Sequence, residues 1–593
     1  YSEVVALADV LGDKTFSELD FTELEHDYQK TNIINSWNDA PNSGITYTNP
    51  STSGFRDANS TVKYPFVDWT HQILVGGSGT GTAATDGNPE LTNLETAFRP
   101  FINIKYLIDR IFEDVPFTYE SEFFDTDDFK KLYMDFNWGA DNAPVIFNSS
   151  GELTNLNDFN IPTSYTTLDF DQMAIVNGTI LNANFGYSAG VFTAQEDGQV
   201  YTFSYDMEFE RILSDTLEVQ WLVNGVSVNP LTSSFTSIPY SGNFTTPPLT
   251  AGDTVLCQAK CSTGQYELNG VLTSPASNTP PLVTITTSVA QTTSDTLLGT
   301  LRGELGQWDF LKGILTMFNL VTLPDEDNPS NIKIEPYSDV FLNNPNSVEL
   351  DWTDKIDVST MKLMPLTDLN KKTIFKFVED EDDYAFNVYK SGTNHLYGSK
   401  KYNASDFTIL AGEEEIIAEP FAATVIKPLM SQYADFITPA IYAMGDDDTW
   451  EGFENSPRIM FNNGIKSTGA SFFIPEQNGG TSDNQTNFLQ FSHLTSVPTV
   501  TTARDFHFGE CQLIGGVGSP VNNNLFNLYW LPYYSELYNP DTRIMTIKVN
   551  LSPSDINTFK FNDTIFIKNR TFRVNKIDYK PNDLATVEFI LIP

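Results

Sequence analysis

The chain has 593 residues, too many for one hydrophobic core, and its 40% hydrophobic and 13% aromatic content excludes a disordered acid despite a formal net charge of -43. Lys+Arg 34 against Asp+Glu 77 excludes a uniform DNA-binding face, because tracking phosphates takes an excess of cations; no sequence-specific nucleic-acid partner is expected. Three cysteines exclude a disulfide framework, and no apolar run approaches the ~20 residues that span a bilayer.

Residues 1–147 alternate polar loops with aromatic strands, then turn helical where Phe101, Ile104, Leu107, Ile108 and Ile111 recur at helical spacing, up to Pro116. Residues 125–134 read as a second short amphipathic helix, started by Asp125-Thr126-Asp127 and burying Phe129, Leu132 and Tyr133. From 148 to 290 the composition shifts to Thr, Ser, Asn, Gly and Val. There Val200, Thr202 and Ser204 alternate against Tyr201, Phe203 and Tyr205, as a sheet with one core face requires, so an inserted β-sandwich is expected. Residues 291–445 return to α+β character. Trp308, Leu311, Leu315 and Phe318 mark an amphipathic helix, followed by a strand over 320–323 and further strands across 372–389 and 407–417. Residues 446–526 form a loop-rich β region broken by Gly479-Gly480, Gly515-Gly516 and the run Asn522, Asn523, Asn524.

The last segment, 527–593, reads as a small β-barrel. Met545, Ile547, Val549 and Leu551 alternate with Thr546, Lys548 and Asn550. A short helix starts at Ser552, with Pro553 and Asp555 in its first turn. Strands over 564–567 and 571–577 flank a tight Asn569-Arg570 turn, and a terminal strand carries Val587, Phe589 and Leu591. Phe572, Val574, Phe589 and Leu591 are expected inside. The fold class is therefore mainly β with α+β character: a multidomain chain of tube-like β-barrel domains, short helices and an inserted β-sandwich.

No pattern for catalysis, cofactor binding or metal ligation emerges. The acidic runs at 325–327, 379–383, 413–415 and 446–448 lack the alternating spacing and distal Glu of a calcium loop and read as solvated loop tips. G-x-S-x-G is absent, and the glycine run 515–519 lacks the Lys of a phosphate loop. Cys257 and Cys261, four apart on an expected strand, lie about 13 Å apart and read as packing residues. His26, His71, His395, His493 and His507 never meet a cysteine at zinc-finger spacing. The aromatic run Tyr529, Trp530, Tyr533, Tyr534 and Tyr538 could stack sugars or form a subunit interface or core. Its place beside the closing barrel favours the interface, with Trp530, Tyr533 and Tyr534 as the proposed contact residues.

Three blocks, Phe98 to Met134, Trp308 to Phe341 and Asn527 to Pro593, resemble structural proteins of tailed bacteriophages, in particular tail hub or baseplate-type proteins of phages of Bacteroidetes-type hosts. Within 148–290, the phrases FTAQEDGQVYTFSYDMEF, LEVQWLVNGV and LTAGDTVLCQAKC resemble jelly-roll modules of the C1q and tumour-necrosis-factor type. The hub resemblance implies a non-enzymatic virion protein without cofactor, located in the phage tail. Its barrel domains would join a ring, trimeric by preference, that continues the tail tube among tube, spike, adaptor or baseplate components. The insert would project outward, where it could meet a host surface glycan. A peripheral adhesin and a secreted glycan-active enzyme remain as alternatives, and the large insert departs from the minimal hub pattern.

Overall fold

The computed structural model describes residues 2–37, 61–71, 73–75, 89–91, 93–135, 145–155, 157–170, 172–177, 186–194, 200–211, 214–247, 249–250, 252–269, 282–292, 296–297, 305–325, 328, 330–365, 369–430, 436–445, 450–451, 453–474, 483–497, 500, 502–509, 511, 521–581 and 583–592. Within them the chain is mainly β and multidomain. Its buried apolar side chains gather in three large clusters and one small one.

The largest cluster runs from Leu7 to Tyr538 and forms the main core. Helix α1 (Ile104–Glu113) starts where the Asn103 side chain accepts the Tyr106 N–H at 3.2 Å, satisfying a backbone donor that has no partner within the helix. Ile104, Leu107, Ile108 and Ile111 are buried, as their spacing predicts. Phe101 lies instead in the strand Phe101–Asn103, paired with Leu132–Asp135. The second expected helix shrinks to the turn Asp127–Lys130, capped by Thr126, after which Leu132, Tyr133 and Met134 extend as a strand. That strand is buried at all four positions and pairs on its other side with Ile459–Phe461, an environment that suits an unbroken apolar run in extended form.

Between 145 and 292 the chain builds a sandwich with its own core. Its principal strands are β1 (Val145–Thr154), β2 (Val191–Thr193), β3 (Tyr201–Arg211), β4 (Leu217–Val223), β5 (Val226–Ser233), β6 (Ser237–Thr245), β7 (Thr254–Cys261) and β8 (Val283–Thr292). β1 pairs with β8, β2 with β7, β3 with β6 and β4 with β5, all antiparallel. Pairs β3–β8 and β4–β7 complete the two sheets. First strand with last, nested inward, is the pairing of a jelly roll. The hairpin β4–β5 turns on Asn224 and Gly225, both at positive φ as a two-residue type I′ turn needs. Trp221 on β4 fills the space between sheets, packing on Phe203, Tyr205 and Phe244. Cys257 and Cys261 both point into this core as free thiols.

Because β1 and β8 are neighbours, paired from Val145↔Gln291 to Leu153↔Val283, the chain enters and leaves the sandwich at one place. His26 and Asp27 pair with Thr292 and Gln291 and tie that base to the main core. Helix α2 (Gln307–Met317) then rejoins the core: the Gln307 side chain donates to Thr15 O at 2.8 Å, and Phe310 meets Phe16 edge-on.

Strands β9 (Glu349–Asp351) and β10 (Ile356–Pro365) leave the main core, and β11 (Lys372–Val378) returns to it. After helix α3 (Leu531–Leu537), strands β12 (Arg543–Val549), β13 (Thr564–Ile567), β14 (Arg570–Asp578) and β15 (Ala585–Leu591) finish the chain. They form one sheet in the order β9-β13-β14-β15-β12-β10. The expected barrel is not closed by hydrogen bonds, since β9 and β10 stand at opposite edges. It is nevertheless curled. Six flat strands would hold the edges about 24 Å apart, whereas the chain from Asp351 to Ile356, about five residue steps, reaches at most about 18 Å. Trp352 bridges the gap, its ring buried against Phe559 and Phe589, and its backbone N–H donates to Phe566 O at 3.0 Å. The unit thus takes two strands from far upstream of 527, while residues 526–538 pack into the main core. Ser552 and Asp555 form the capping box that starts Pro553–Thr558, and Phe572, Val574, Phe589 and Leu591 are all buried. The β13–β14 turn sits one residue earlier than expected, on Lys568-Asn569, with Ile567 paired to Arg570.

Residues 145–292 expressed alone should give a β-type circular-dichroism spectrum and a single cooperative melt, since the sandwich owns its core and both its ends meet; a spectrum without β signal would contradict this. Acid should also weaken the main core. His26 is buried between Leu24 O (2.6 Å) and Tyr64 OH (2.5 Å), and burial lowers its pKa from 6.5 to about 4. The unfolded chain therefore takes up a proton near pH 6.5 that the folded chain refuses until about pH 4, and stability falls by about 3 kcal/mol across that window. Urea titrations at pH 7 and pH 4.5 should show this loss in the wild type and a smaller one in His26→Gln.

Candidate functional site

Strand β11 organises the centre of the main core. Its alternation buries Thr373, Phe375 and Phe377. Phe375 lies against Phe508, Phe526, Trp530 and Tyr534, with ring centroids 5.0 to 5.7 Å away, and Phe377 lies against His507 at 5.2 Å. Two groups of side chains meet on this one strand: the aromatic run of α3 and a buried cluster of histidines.

Of the three residues singled out in the aromatic run, Tyr534 is buried by its own chain and places its hydroxyl 3.3 Å from Thr373 Oγ1. Trp530 and Tyr533 are half-buried. Trp530 donates its indole N–H to Thr316 O at 3.1 Å, and Tyr533 packs edge-on against Tyr337. One turn on, Glu536 accepts from Arg573 Nε at 2.7 Å and from the Tyr337 hydroxyl at 3.0 Å. Helix α3 is therefore the seam between the main core and the curled sheet, and Trp530 and Tyr533 keep part of their rings at its surface.

The second group joins His493, Asp505, His507 and Cys511, whose donor atoms all lie within 4.8 Å of one another. Backbone pairing sets it up: Phe506 N–H donates to His493 O at 2.7 Å, and Asp505 N–H to Asn523 O at 2.8 Å. His493 Nδ1 is 2.7 Å from Asp505 Oδ1, and its Nε2 is 2.8 Å from the Tyr397 hydroxyl. His507 donates its backbone N–H to the same Asp505 oxygen at 3.0 Å and sets Nδ1 3.2 Å from Cys511 Sγ. The two imidazoles stack with centroids 4.3 Å apart. Gly398, at φ +79°, leaves room for this: a Cβ there would come within 3.0 Å of His507 Cγ.

Burial sets the charges. It pushes His507 well below the usual imidazole range, so the ring is neutral, and it raises both the Asp505 carboxyl and, strongly, the Cys511 thiol. Burial thus works against the thiolate form that a nucleophilic cysteine needs. Two imidazoles, a carboxylate and a thiol are a donor set for a borderline metal ion. Sequence reasoning missed the group because its spacing, twelve, two and four residues, matches no zinc-finger pattern; the four-residue step from His507 to Cys511 was its one local signal.

The acidic runs separate into different roles. Asp380 and Asp383 are not loop tips: they pair with the buried Arg458, at 2.5 Å and 3.1 Å, while Asp135 accepts the Arg458 backbone N–H at 2.6 Å. Glu413 and Glu415 face Lys372, Lys401 and Lys376 at the surface. Asp325 meets Lys333, while Glu326, Asp327, the run 446–448 and the glycine run 515–519 lie outside the described residues. Among the described residues, no helix is long and apolar enough to cross a membrane.

No known protein family matches the sequence, and no curated protein matches it. Solved structures similar to part of the chain include the Eiger TNF from S. frugiperda, at 10% identity and a TM-score of 0.17, covering 25% of this chain and 92% of that one. Murine APRIL at pH 8.5 is 16% identical with a TM-score of 0.17, covering 24% and 98%. Likeness at these scores carries no argument, and the jelly-roll assignment rests on strand pairing.

Tyr534→Ala should destabilise the isolated chain by about 3 to 5 kcal/mol, because it empties a buried aromatic site. Denaturant unfolding at a concentration where the chain is monomeric checks this; an unchanged midpoint would mean that the ring is buried by a partner rather than by its own core.

Proposed function

We propose that this chain is a structural, non-enzymatic subunit of a bacteriophage tail, of the tail hub or baseplate type, that works in the virion as a homo-oligomer, by preference a trimer, among other tail proteins. The identity as a tail protein rests on the resemblance of the three sequence blocks. The assembly rests on one observation, strand β10. It is an edge of the curled sheet, and its register with β12 breaks between Asp357 and Lys362. Along it Val358, Met361, Leu363 and Met364 are each half exposed or more. Among the described residues no strand pairs with its outer edge, and although Asp357, Lys362 and Pro365 lie on it, the exposed apolar side chains between them make it an edge that invites pairing.

The occupant that fits is a second copy. Among the described residues the other edge of the same sheet, β9, also has no outer partner strand, and Val348 beside it is exposed. Pairing β10 of one copy with β9 of the next is a heterologous contact, the kind that closes into rings. The sandwich, joined to the core at its base, would project from such a ring. Its loop between β5 and β6 carries Phe235 at 76% exposure, which favours contact of the insert with something outside the ring, a host surface glycan being the second reading.

The experiment is light scattering on the full chain, with electron microscopy of labelled phage particles. Met361→Glu together with Leu363→Glu should shift an oligomer to monomer while moving the melting temperature little, since exposed positions usually change stability by less than about 0.5 kcal/mol. A wild-type chain that stays monomeric at high concentration, or particles in which the label never marks the tail, would overturn this reading. Glycan-array binding lost in Phe235→Ala would move the weight to the adhesin reading.

A further inference from the structure

The cluster of His493, Asp505, His507 and Cys511 has no part in assembly through β10, and we propose that it binds a zinc ion in a closed, structural four-ligand site. The observations are independent of the tail reading. Donor separations come first. Zinc held at about 2.0 Å by nitrogen and oxygen and about 2.3 Å by sulfur keeps neighbouring N and O donors about 3.3 Å apart and N and S donors about 3.5 Å apart. Here His493 Nδ1 to Asp505 Oδ1 is 2.7 Å, His507 Nδ1 to Asp505 Oδ1 is 3.8 Å and His507 Nδ1 to Cys511 Sγ is 3.2 Å. These three values straddle the tetrahedral ones, while the widest separation in the group, 4.8 Å, and the stacking of the two imidazoles mean that one ring must turn for all four donors to meet on one ion.

Charge comes second. A dication with one carboxylate and one thiolate is neutral, which a site this buried requires. Arg458, the fixed cation that acts on His507, is already paired with Asp380 and Asp383. The surrounding bonds come third. With His493 Nδ1 on the metal, its Nε2 carries the proton and donates it to Tyr397 Oη, 2.8 Å away, while the His507 backbone N–H fixes Asp505 Oδ1. Ligating histidines typically have such a partner on the second nitrogen. Mixed N, O and S donors suit zinc and disfavour magnesium and calcium, which take oxygen. On binding, the S–H bond of Cys511 breaks, the Zn–S, Zn–O and two Zn–N bonds form, and one proton leaves to solvent. Four protein ligands leave no open position, so the ion crosslinks the loop and does not catalyse.

The full chain, produced with zinc in the medium and dialysed, should carry about one zinc per chain by elemental analysis. Reloading metal-stripped wild type with cobalt should give the visible bands of a tetrahedral ion and a thiolate-to-cobalt charge-transfer band. Cys511→Ser should lose the charge-transfer band. Tyr397→Phe should hold the metal roughly 10-fold more weakly in chelator competition, which marks it as a positioning residue. Cys511→Ser could fail to fold, so the wild-type cobalt spectrum decides: its absence, with zinc below about a tenth per chain, overturns the proposal. A tetrahedral spectrum lacking the thiolate band also overturns it as a four-ligand site.

Discussion

The main core depends on the meeting of Phe123, Phe318 and Tyr529, three rings from segments about two hundred residues apart. Their centroids lie 5.0, 5.7 and 5.2 Å from one another pairwise. Each segment carries an apolar face that its own neighbourhood cannot cover. Around the contact, Asn331–Lys333 runs parallel to Thr118–Glu120, and the Asn319 side chain donates to Tyr529 O at 3.0 Å. Each ring covers part of the other two, so the three segments support one another. Folding of this core therefore waits on long loop closures, whereas the sandwich and most of the curled sheet close over shorter stretches.

What the sequence made legible follows the same division. Local patterns could be read directly: the alternating Tyr201, Phe203 and Tyr205 of β3, the Ser552–Asp555 start of the last helix, and the inward Phe589 and Leu591 of β15. Patterns completed from far away could not. Leu132–Asp135 looks helical until Ile459–Phe461 arrives to pair with it, and β9 and β10 carry no local sign that they belong to a sheet built two hundred residues later. The histidine cluster was invisible for a related reason. Its residues are close in sequence but match no familiar ligand spacing, and the pairing of the strand end at His493 with the loop at Asp505 brings them together. The acidic run at 379–383 misled in the opposite direction, because an internal arginine took up charges that look superficial.

The electrostatic balance of the whole chain follows from where its few cations go. Arg458 and Arg573 are spent inside and at the seam, and Lys355, Lys376 and Lys390 are held by local carboxylates. The surplus acid faces solvent. Copies of such a chain repel at long range, and dissolved salt shortens that repulsion.

The joining of β1 to β8 at one place has a mechanical consequence. A domain threaded in series between its neighbours is unravelled from its ends when the chain is pulled. The sandwich is held by both ends at its base, through a ladder that runs from Val145↔Gln291 to Leu153↔Val283. A load applied at its far loops is shared between two adjacent strands and reaches the core beside His26 and Asp27. The insert thus behaves as a cantilever rather than a link, transmitting tension and torque to the core without paying out chain.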